Sequence, residues 1–270
     1  MTSVDPAQLA RWQEAVGREQ RVSERLDPRA LSRYALALGG TANSDHVPLA
    51  HWAFFLPRHS DEDTGPDGHP RRGRFLPAIT LPRRMFAASA MRFFEPLAIG
   101  EMAEQVSTIV DVTHKLGSTG DLVFVRLRTE LQQNGAVRVE ETKTFVYRDE
   151  GARVALPEPV VPPPEGEVWS PEAVNLFRFS AATGNSHRIH YDLPYTTKEE
   201  GYPALIVHGP FTAARLAELA MRRGRLTKFE FRAKAPLFLG QPIYLRATSD
   251  TVFEAVRCDG IAAMEARAEF

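Results

Sequence analysis

One short turn occurs twice in this chain, 140 residues apart, and it limits the possible folds more than any other feature. Glu95-Pro96-Leu97-Ala98-Ile99-Gly100 and Ala235-Pro236-Leu237-Phe238-Leu239-Gly240 share the pattern Pro-Leu-x-(Ile/Leu)-Gly. What surrounds each copy repeats too. Residues 82–91, rich in small helix-forming side chains, precede the first turn; residues 210–222, with Leu216, Leu219 and Ala220 at helical spacing, precede the second. After the first turn, Val106, Thr108, Val110 and Val112 share one strand face, and Val125, Leu127, Thr129 and Leu131 alternate with Arg126, Arg128 and Glu130. Asn134-Gly135 signals a two-residue hairpin, and a return strand runs to Tyr147. After the second turn, strands at 243–249 and 252–258 lead through Asp259-Gly260 to a closing strand at 264–270. Matched order of helix, turn, strands and hairpin points to a duplicated unit.

Each unit then holds one apolar helix and an antiparallel sheet with one apolar face, which the sheet covers by wrapping around the helix. The expected fold is α+β, two tandem modules pairing edge to edge as a homodimer of single modules would. Five prolines between 157 and 164 make a stiff stretch unable to pair as a central strand. The expected division is a first module at 1–156, a linker at 157–168 and a second module at 169–270. Further helices are predicted at 6–16 and at 28–38, the latter with Asp27 as N-cap and Pro28 at the first helical position. Residues 57–73 carry no period and read as a long exposed loop, a kind of segment that often carries function.

Composition serves mainly to exclude. The formal net charge of −1 gives no basic field for nucleic acid or an anionic membrane. Residues 1–20 lack the apolar stretch of a signal peptide, and no run approaches the ~20 apolar residues of a membrane span. Cys258 is the single cysteine, so an internal disulfide is impossible and a reducing, cytoplasmic setting is expected.

Reactive side chains concentrate in the second copy. From Phe177 the chain reads as a structured loop, and its last eight residues, 185–192, hold Asn185, His187, Arg188, His190, Tyr191 and Asp192. Just downstream, Val207-His208-Gly209-Pro210 opens the apolar helix. A buried helix start, with unpaired N–H groups and about half a positive charge, suits a polarised carbonyl oxygen. An imidazole with an unperturbed pKa of about 6.5 can move a proton at neutral pH. Together they provide what proton abstraction beside a carbonyl requires.

Asn185-x-His187-Arg188-Ile189-His190-Tyr191-Asp192, followed by Gly201-Tyr202-Pro203 and Val207-His208-Gly209-Pro210, resembles the hydratase motif of MaoC-like (R)-specific enoyl-thioester hydratases and dehydratases. Phe75-Leu76-Pro77, Leu81-Pro82-Arg83-Arg84-Met85, Lys115-x-Gly117-x-x-Gly120 and Val146-Tyr147-Arg148 are similar to the degenerate N-terminal half of the branch containing mesaconyl-CoA and itaconyl-CoA hydratases and mitochondrial-type 3-hydroxyacyl-thioester dehydratases. The resemblance spans nearly the whole chain. It implies a double hot dog fold and reversible hydration of an α,β-unsaturated acyl thioester, of C5 branched dicarboxylic acyl-CoA type or else of fatty type. It implies no metal and no cofactor beyond the coenzyme A of the substrate, with an acyl-CoA as partner and a homo-oligomer as a possible state. The family's catalytic His falls on His190, its later Asp on Asp192, its catalytic Asp on Asn185, its Asn-Pro pair on His187-Arg188 and its backbone donor on Gly209. An amide is no base, so His190 would transfer the proton while Asn185 holds water or the thioester. Arg83, Arg84 and Arg188 would grip a carboxylate or the CoA phosphates, with His187 and His208 nearby.

Each of these residues also has a structural reading. Asn185 can stabilise a turn, Asp192 can cap the segment before Pro194, His208 can cap or pack, and the arginines can form surface ion pairs. His187, His190 and Asp192 have metal-ligand chemistry, but the i, i+3 spacing with no fourth ligand argues against a zinc site. A thioesterase would need a carboxylate near the helix start, where none precedes Glu218, and a non-catalytic thioester-binding subunit remains a third possibility.

Overall fold

The structure, a computed structural model, describes residues 4–42, 46–117, 120–151 and 153–270. The first half contributes helix α1 (Pro6–Gln13), strand β1 (Glu19–Arg25), helix α2 (Pro28–Ala37) and strands β2 (Arg83–Phe93), β3 (Met102–Gly117), β4 (Gly120–Gln133) and β5 (Ala136–Arg148). The second half contributes β6 (Glu167–Trp169), α3 (Ala173–Thr183), α4 (Leu193–Lys198), α5 (Gly209–Met221), β7 (Lys228–Ala233), β8 (Ile243–Ala247), β9 (Val252–Arg257) and β10 (Ala262–Glu269).

Local chemistry sets many of these bounds. Asp5 accepts from the Gln8 amide at 2.7 Å and Asp27 from the Arg29 amide at 2.9 Å, each with proline opening the helix behind it. Asn134 and Gly135 both adopt positive φ, 52° and 76°, as a tight hairpin between right-twisted strands demands.

All ten strands join one antiparallel sheet in the order β1-β3-β4-β5-β2-β7-β10-β9-β8-β6. Within each half the order is the same: 1-3-4-5-2 in the first becomes 6-8-9-10-7 in the second. The halves meet where β2 pairs with β7, in a register that sets Ser89 opposite Phe231 and Met91 opposite Phe229. That is the edge-to-edge pairing expected of a duplicated unit.

The halves differ in what their sheets enclose. In the second, α5 is packed against β7, β8, β9 and β10, and Phe211, Ala213, Ala214, Leu216, Ala217 and Ala220 are all buried. In the first, the helix predicted at 82–91 is instead strand β2. Its backbone pairs with β5 on one side and β7 on the other, and two rows of interstrand hydrogen bonds outweigh the helix preference of a few alanines. The inner face of β3, β4 and β5 is covered near α1 by Trp12, Ala15, Ile79 and Leu81. Further along, Ser107, Leu127, Thr129, Leu131, Val139 and Phe145 face an open cavity where the second half has α5.

A second difference lies at 177–183, expected as loop, which forms the last turns of α3. Glu172 and Asn175 make a reciprocal capping box at its start, and Gly184, at φ 60°, ends it. The proline-rich stretch is strapped to the second half: Gln241 Nε2 donates to the Pro157 carbonyl at 2.6 Å and the Val160 amide to the Cys258 carbonyl at 2.9 Å. The expected linker end at 168 falls inside β6. Among the described residues no helix is long and apolar enough to cross a membrane.

Candidate active site

A cavity of about 770 Å³ lies between the halves, within the range of small-molecule sites. Its wall includes Asn185, His187, His190 and Gly209 from the second half and His51, Asp67, His69, Arg83 and Arg84 from the first.

Gly184 ends α3 and turns the chain so that residues 185–190 cross the cavity. Asn185 Oδ1 accepts from the His187 amide at 3.0 Å, the Asx turn foreseen for it, which leaves its NH2 as the group able to hold a ligand. A single 3-10 turn over Arg188, Ile189 and His190 then carries the His190 ring inward. Its Nδ1 sits 2.8 Å from the Ile206 carbonyl. A carbonyl only accepts, so Nδ1 carries the proton and Nε2, with no protein partner among the described residues, keeps its lone pair. The ring stacks on that of His208, centroids 3.6 Å apart. His208 immediately precedes α5, so the His190 ring lies beside the helix start. Pro210 has no N–H, which makes the Gly209 amide the foremost donor there, and a Cβ built on Gly209 would meet nothing closer than 3.9 Å.

The long loop at 57–73 supplies the groups that local sequence reading did not assign. Its tip crosses to the second half, where the Arg188 amide donates to the Asp67 carbonyl at 3.0 Å, Arg188 Nη1 to the Pro66 carbonyl at 3.0 Å, and Ser186 Oγ to the Gly68 carbonyl. There Asp67 Oδ2 meets His69 Nδ1 at 3.2 Å, and the His69 and His187 rings approach to 4.1 Å. Ligand atoms of Asp67, His69 and His187 fall within 4.8 Å of one another. A reactive cluster thus draws on both halves, contrary to the expectation that it belongs to the second copy alone. The signal available in the sequence was the loop's length; nothing local tied Asp67 and His69 to position 187.

Burial disfavours a charged imidazole throughout. It lowers His190 to about 4, despite the opposing Ile206 hydrogen bond, and it lowers His69, His187 and His208 as well, with neighbouring histidines adding to the effect at His187 and His208. Burial alone would raise the Asp67 carboxyl, but the His69 hydrogen bond and the charges of His69 and Arg84 hold it well below the usual carboxylate range. Depressed imidazole pKa values mean that the unfolded chain binds protons first on acidification. Stability is therefore expected to be full above about pH 6.5 and to fall as pH drops from there toward 4. Denaturant midpoints measured from pH 7.5 to 4.5 would check this, and His190→Ala should flatten the slope.

Other expected site residues serve the framework. Arg188 pairs with Asp192 at 2.7 Å and lies over the Tyr195 ring, and Asp192 caps α4 by accepting from the Tyr195 amide at 3.1 Å. His208 is fully buried, its Nε2 2.9 Å from Ser180 Oγ. None of Arg188, Asp192 and His208 is among the residues that line the cavity. Arg188 and Asp192 are paired with each other, and His208 is held through Nε2 by Ser180. Arg83 lines the wall but is engaged by the Glu200 carbonyl at 2.7 Å and its carboxylate at 3.6 Å. Arg84 has no salt-bridge partner among the described residues, yet its charge is felt by Asp67, His69 and His187. Deeper in the first half, Glu141 is buried and accepts from Trp52 Nε1, with Ser89 Oγ at 2.7 Å and Lys143 Nζ at 3.3 Å.

Residues 49–239 match the family model described as hydroxyacyl-thioester dehydratase type 2. The chain is 41% identical to mesaconyl-C(4)-CoA hydratase of Chloroflexus aurantiacus, over 96% of this chain and 98% of that protein. Among solved structures, HtdX of Mycobacterium tuberculosis superposes with a TM-score of 0.67 at 19% identity, over 92% of this chain and 98% of the other. A second M. tuberculosis protein, described as having a double hotdog fold, gives 0.51 at 14% identity, over 94% and 95%. These two likenesses show the double hot dog fold. With the family match and the full-length relative, the chain belongs to the hydroxyacyl-thioester dehydratase type 2 family.

Proposed function

We propose that this chain is a hydro-lyase that adds water reversibly across the double bond of an α,β-unsaturated acyl thioester, and that its substrate is a branched C5 dicarboxylic acyl-CoA of the mesaconyl type. The observation that carries the reading is the His190 ring, fixed through Nδ1 by the Ile206 carbonyl and stacked beside the start of α5, in one cavity with Gly209. In the dehydration direction the neutral ring takes the α-proton through Nε2. The Gly209 N–H holds the negative charge that develops on the thioester oxygen, and the Asn185 amide holds the β-oxygen, which takes up one proton as its bond to carbon breaks and leaves as water. Hydration is the reverse. The reaction calls on no group beyond the substrate's own CoA arm, and a reducing cytoplasm suits the lone buried thiol of Cys258.

Two observations support the dicarboxylic substrate: the name of the 41% identical relative, and Arg84, a guanidinium without an ion-pair partner beside the reactive cluster. Arg84→Gln is expected to raise KM for mesaconyl-C4-CoA about 10- to 100-fold, the cost of one charge-assisted contact, while leaving crotonyl-CoA, which lacks the carboxylate, within about twofold. Equal effects on both substrates would remove Arg84 from carboxylate recognition.

The test of the activity is mass-spectrometric scoring of water gain or loss over a panel that includes mesaconyl-C4-CoA and straight-chain enoyl-CoA esters. Gain of water by mesaconyl-C4-CoA supports the reading. Preference for straight chains would move it to the fatty type, release of free CoA to a thioesterase, and binding without conversion to a non-catalytic subunit.

A further inference from the structure

We propose that the first half of the chain supplies a second catalytic residue, His69, which exchanges a proton with the water that is added, and that Asp67 positions it. The proposal rests on the hydro-lyase reading above. It starts from a deficit, because the water must lose a proton as its oxygen attacks, and Asn185, where the family motif has an acid, cannot take one. The Asn185 carbonyl oxygen is moreover committed to the His187 amide.

The loop tip at 67–69 meets that need. Asp67 Oδ2 faces His69 Nδ1 at 3.2 Å, and the His69 amide also donates to Asp67 Oδ1, at 3.0 Å. A carboxylate on Nδ1 fixes the tautomer with the proton on Nδ1, exposes the Nε2 lone pair and stabilises the imidazolium that forms when Nε2 takes a proton. His69 lines the same cavity as His190 and Gly209. The charged groups that act on it are Asp67 and Arg72 of its own loop and Arg84 of β2. Its ring packs directly on that of His187 from the second half, and its charge reaches His190. Three hydrogen bonds, from the Arg188 amide, the Arg188 guanidinium and the Ser186 hydroxyl to carbonyls of residues 66–68, clip the loop to residues 186–188, which gives the ring a fixed place.

The step balances as follows. In hydration, water oxygen bonds to the β-carbon and one water proton passes to His69 Nε2. The π pair of the double bond shifts to form an enolate whose oxygen faces the Gly209 N–H. The α-carbon then takes a proton from Nε2 of a protonated His190. Hydration starts from the small fraction of enzyme that carries a proton on His190, since burial keeps that ring mostly neutral, and ends with one on His69; exchange with solvent resets the pair. Dehydration runs each transfer backwards.

The experiment compares wild type, His69→Ala, His69→Gln and Asp67→Asn as full chains, with mesaconyl-C4-CoA as substrate and with and without imidazole in the buffer. Both His69 variants are expected to keep the wild-type melting curve and KM within about threefold while losing about 10²- to 10⁴-fold in kcat. Added imidazole should restore part of the His69→Ala loss, because it can fill the space that alanine leaves. Asp67→Asn, which retains the ring but loses its orienting carboxylate, should lose up to about 10⁴-fold without rescue by imidazole. Folded His69 variants with kcat within threefold of wild type, or a loss that imidazole leaves untouched in His69→Ala, would overturn the proposal alone. So would stoichiometric divalent metal in active wild type, with activity abolished by a chelator, since Asp67, His69 and His187 would then be ligands. A wild type that hydrates no enoyl-CoA would end the hydro-lyase reading and this proposal with it.

Discussion

His190→Ala is expected to lower kcat by about 10³-fold or more while the protein remains folded. General acid–base catalysis by one positioned group contributes about 10²- to 10⁴-fold, and this ring is proposed to transfer the α-proton; the other imidazole beside α5, His208, is fully buried and does not line the cavity. The variant should fold because His190 makes a single side-chain hydrogen bond, to the Ile206 carbonyl, and its loss faces a cavity that water can enter. The Ile206 amide keeps its own bond to the Ile189 carbonyl at 3.0 Å, so the segment leading to α5 stays tied to the 3-10 turn. Burial keeps the wild-type ring neutral down to about pH 4. Dehydration, which needs the lone pair, should therefore persist at mildly acidic pH for as long as the fold does. Loss of enoyl absorbance with time, followed beside a thermal melt, measures both quantities. A folded variant within tenfold of wild-type kcat would remove His190 from the chemistry.

Gly68→Ala should be the most damaging single methyl addition in the loop. Gly68 has φ 86°, and a Cβ there would lie 2.0 Å from the Ser186 carbonyl oxygen and 2.9 Å from its carbon. Both atoms are backbone, so relief requires the loop tip to lift by about 1 Å, which breaks the clip and carries Asp67 and His69 away from His187. Misplacement on that scale can cost about 10²-fold in rate. Left-handed backbone in a residue with a side chain adds about 1 kcal/mol or more of strain. Gly240→Ala is the matched control, with φ 85° and nothing within 4 Å of its Cβ. It should show the strain in its melting curve and leave kcat unchanged. If Gly68→Ala turns over like the control, the loop does not hold the reacting groups.

Some features were legible because they are written in local pattern. Asp27 before Pro28 gave α2, Asn134-Gly135 gave the hairpin, and the alternation from Val125 to Leu131 gave the face of β4. Others were legible and overlooked: Phe229 and Phe231 alternate with charged residues in β7, the strand that joins the halves. The last turns of α3 were hidden because the turn-forming run from Thr183 follows the apolar helix directly, with Gly184 ending it.

By itself the sequence determined that a unit is duplicated, that an apolar helix opens at Pro210 in the second copy, one residue past the observed start of α5, and that Asn185, His187 and His190 stand on a short segment before it. Each of these depends on neighbours in the chain, through capping, turn chemistry and side-chain period. Tertiary structure decided that residues 82–91 are a strand, because β5 and β7 hydrogen-bond both of its sides, and that the first half encloses a cavity instead of a helix. It also brought the tip of the 57–73 loop against residues 118 positions away. That meeting requires a glycine where two backbones touch, and no local period records which distant carbonyl a glycine will face.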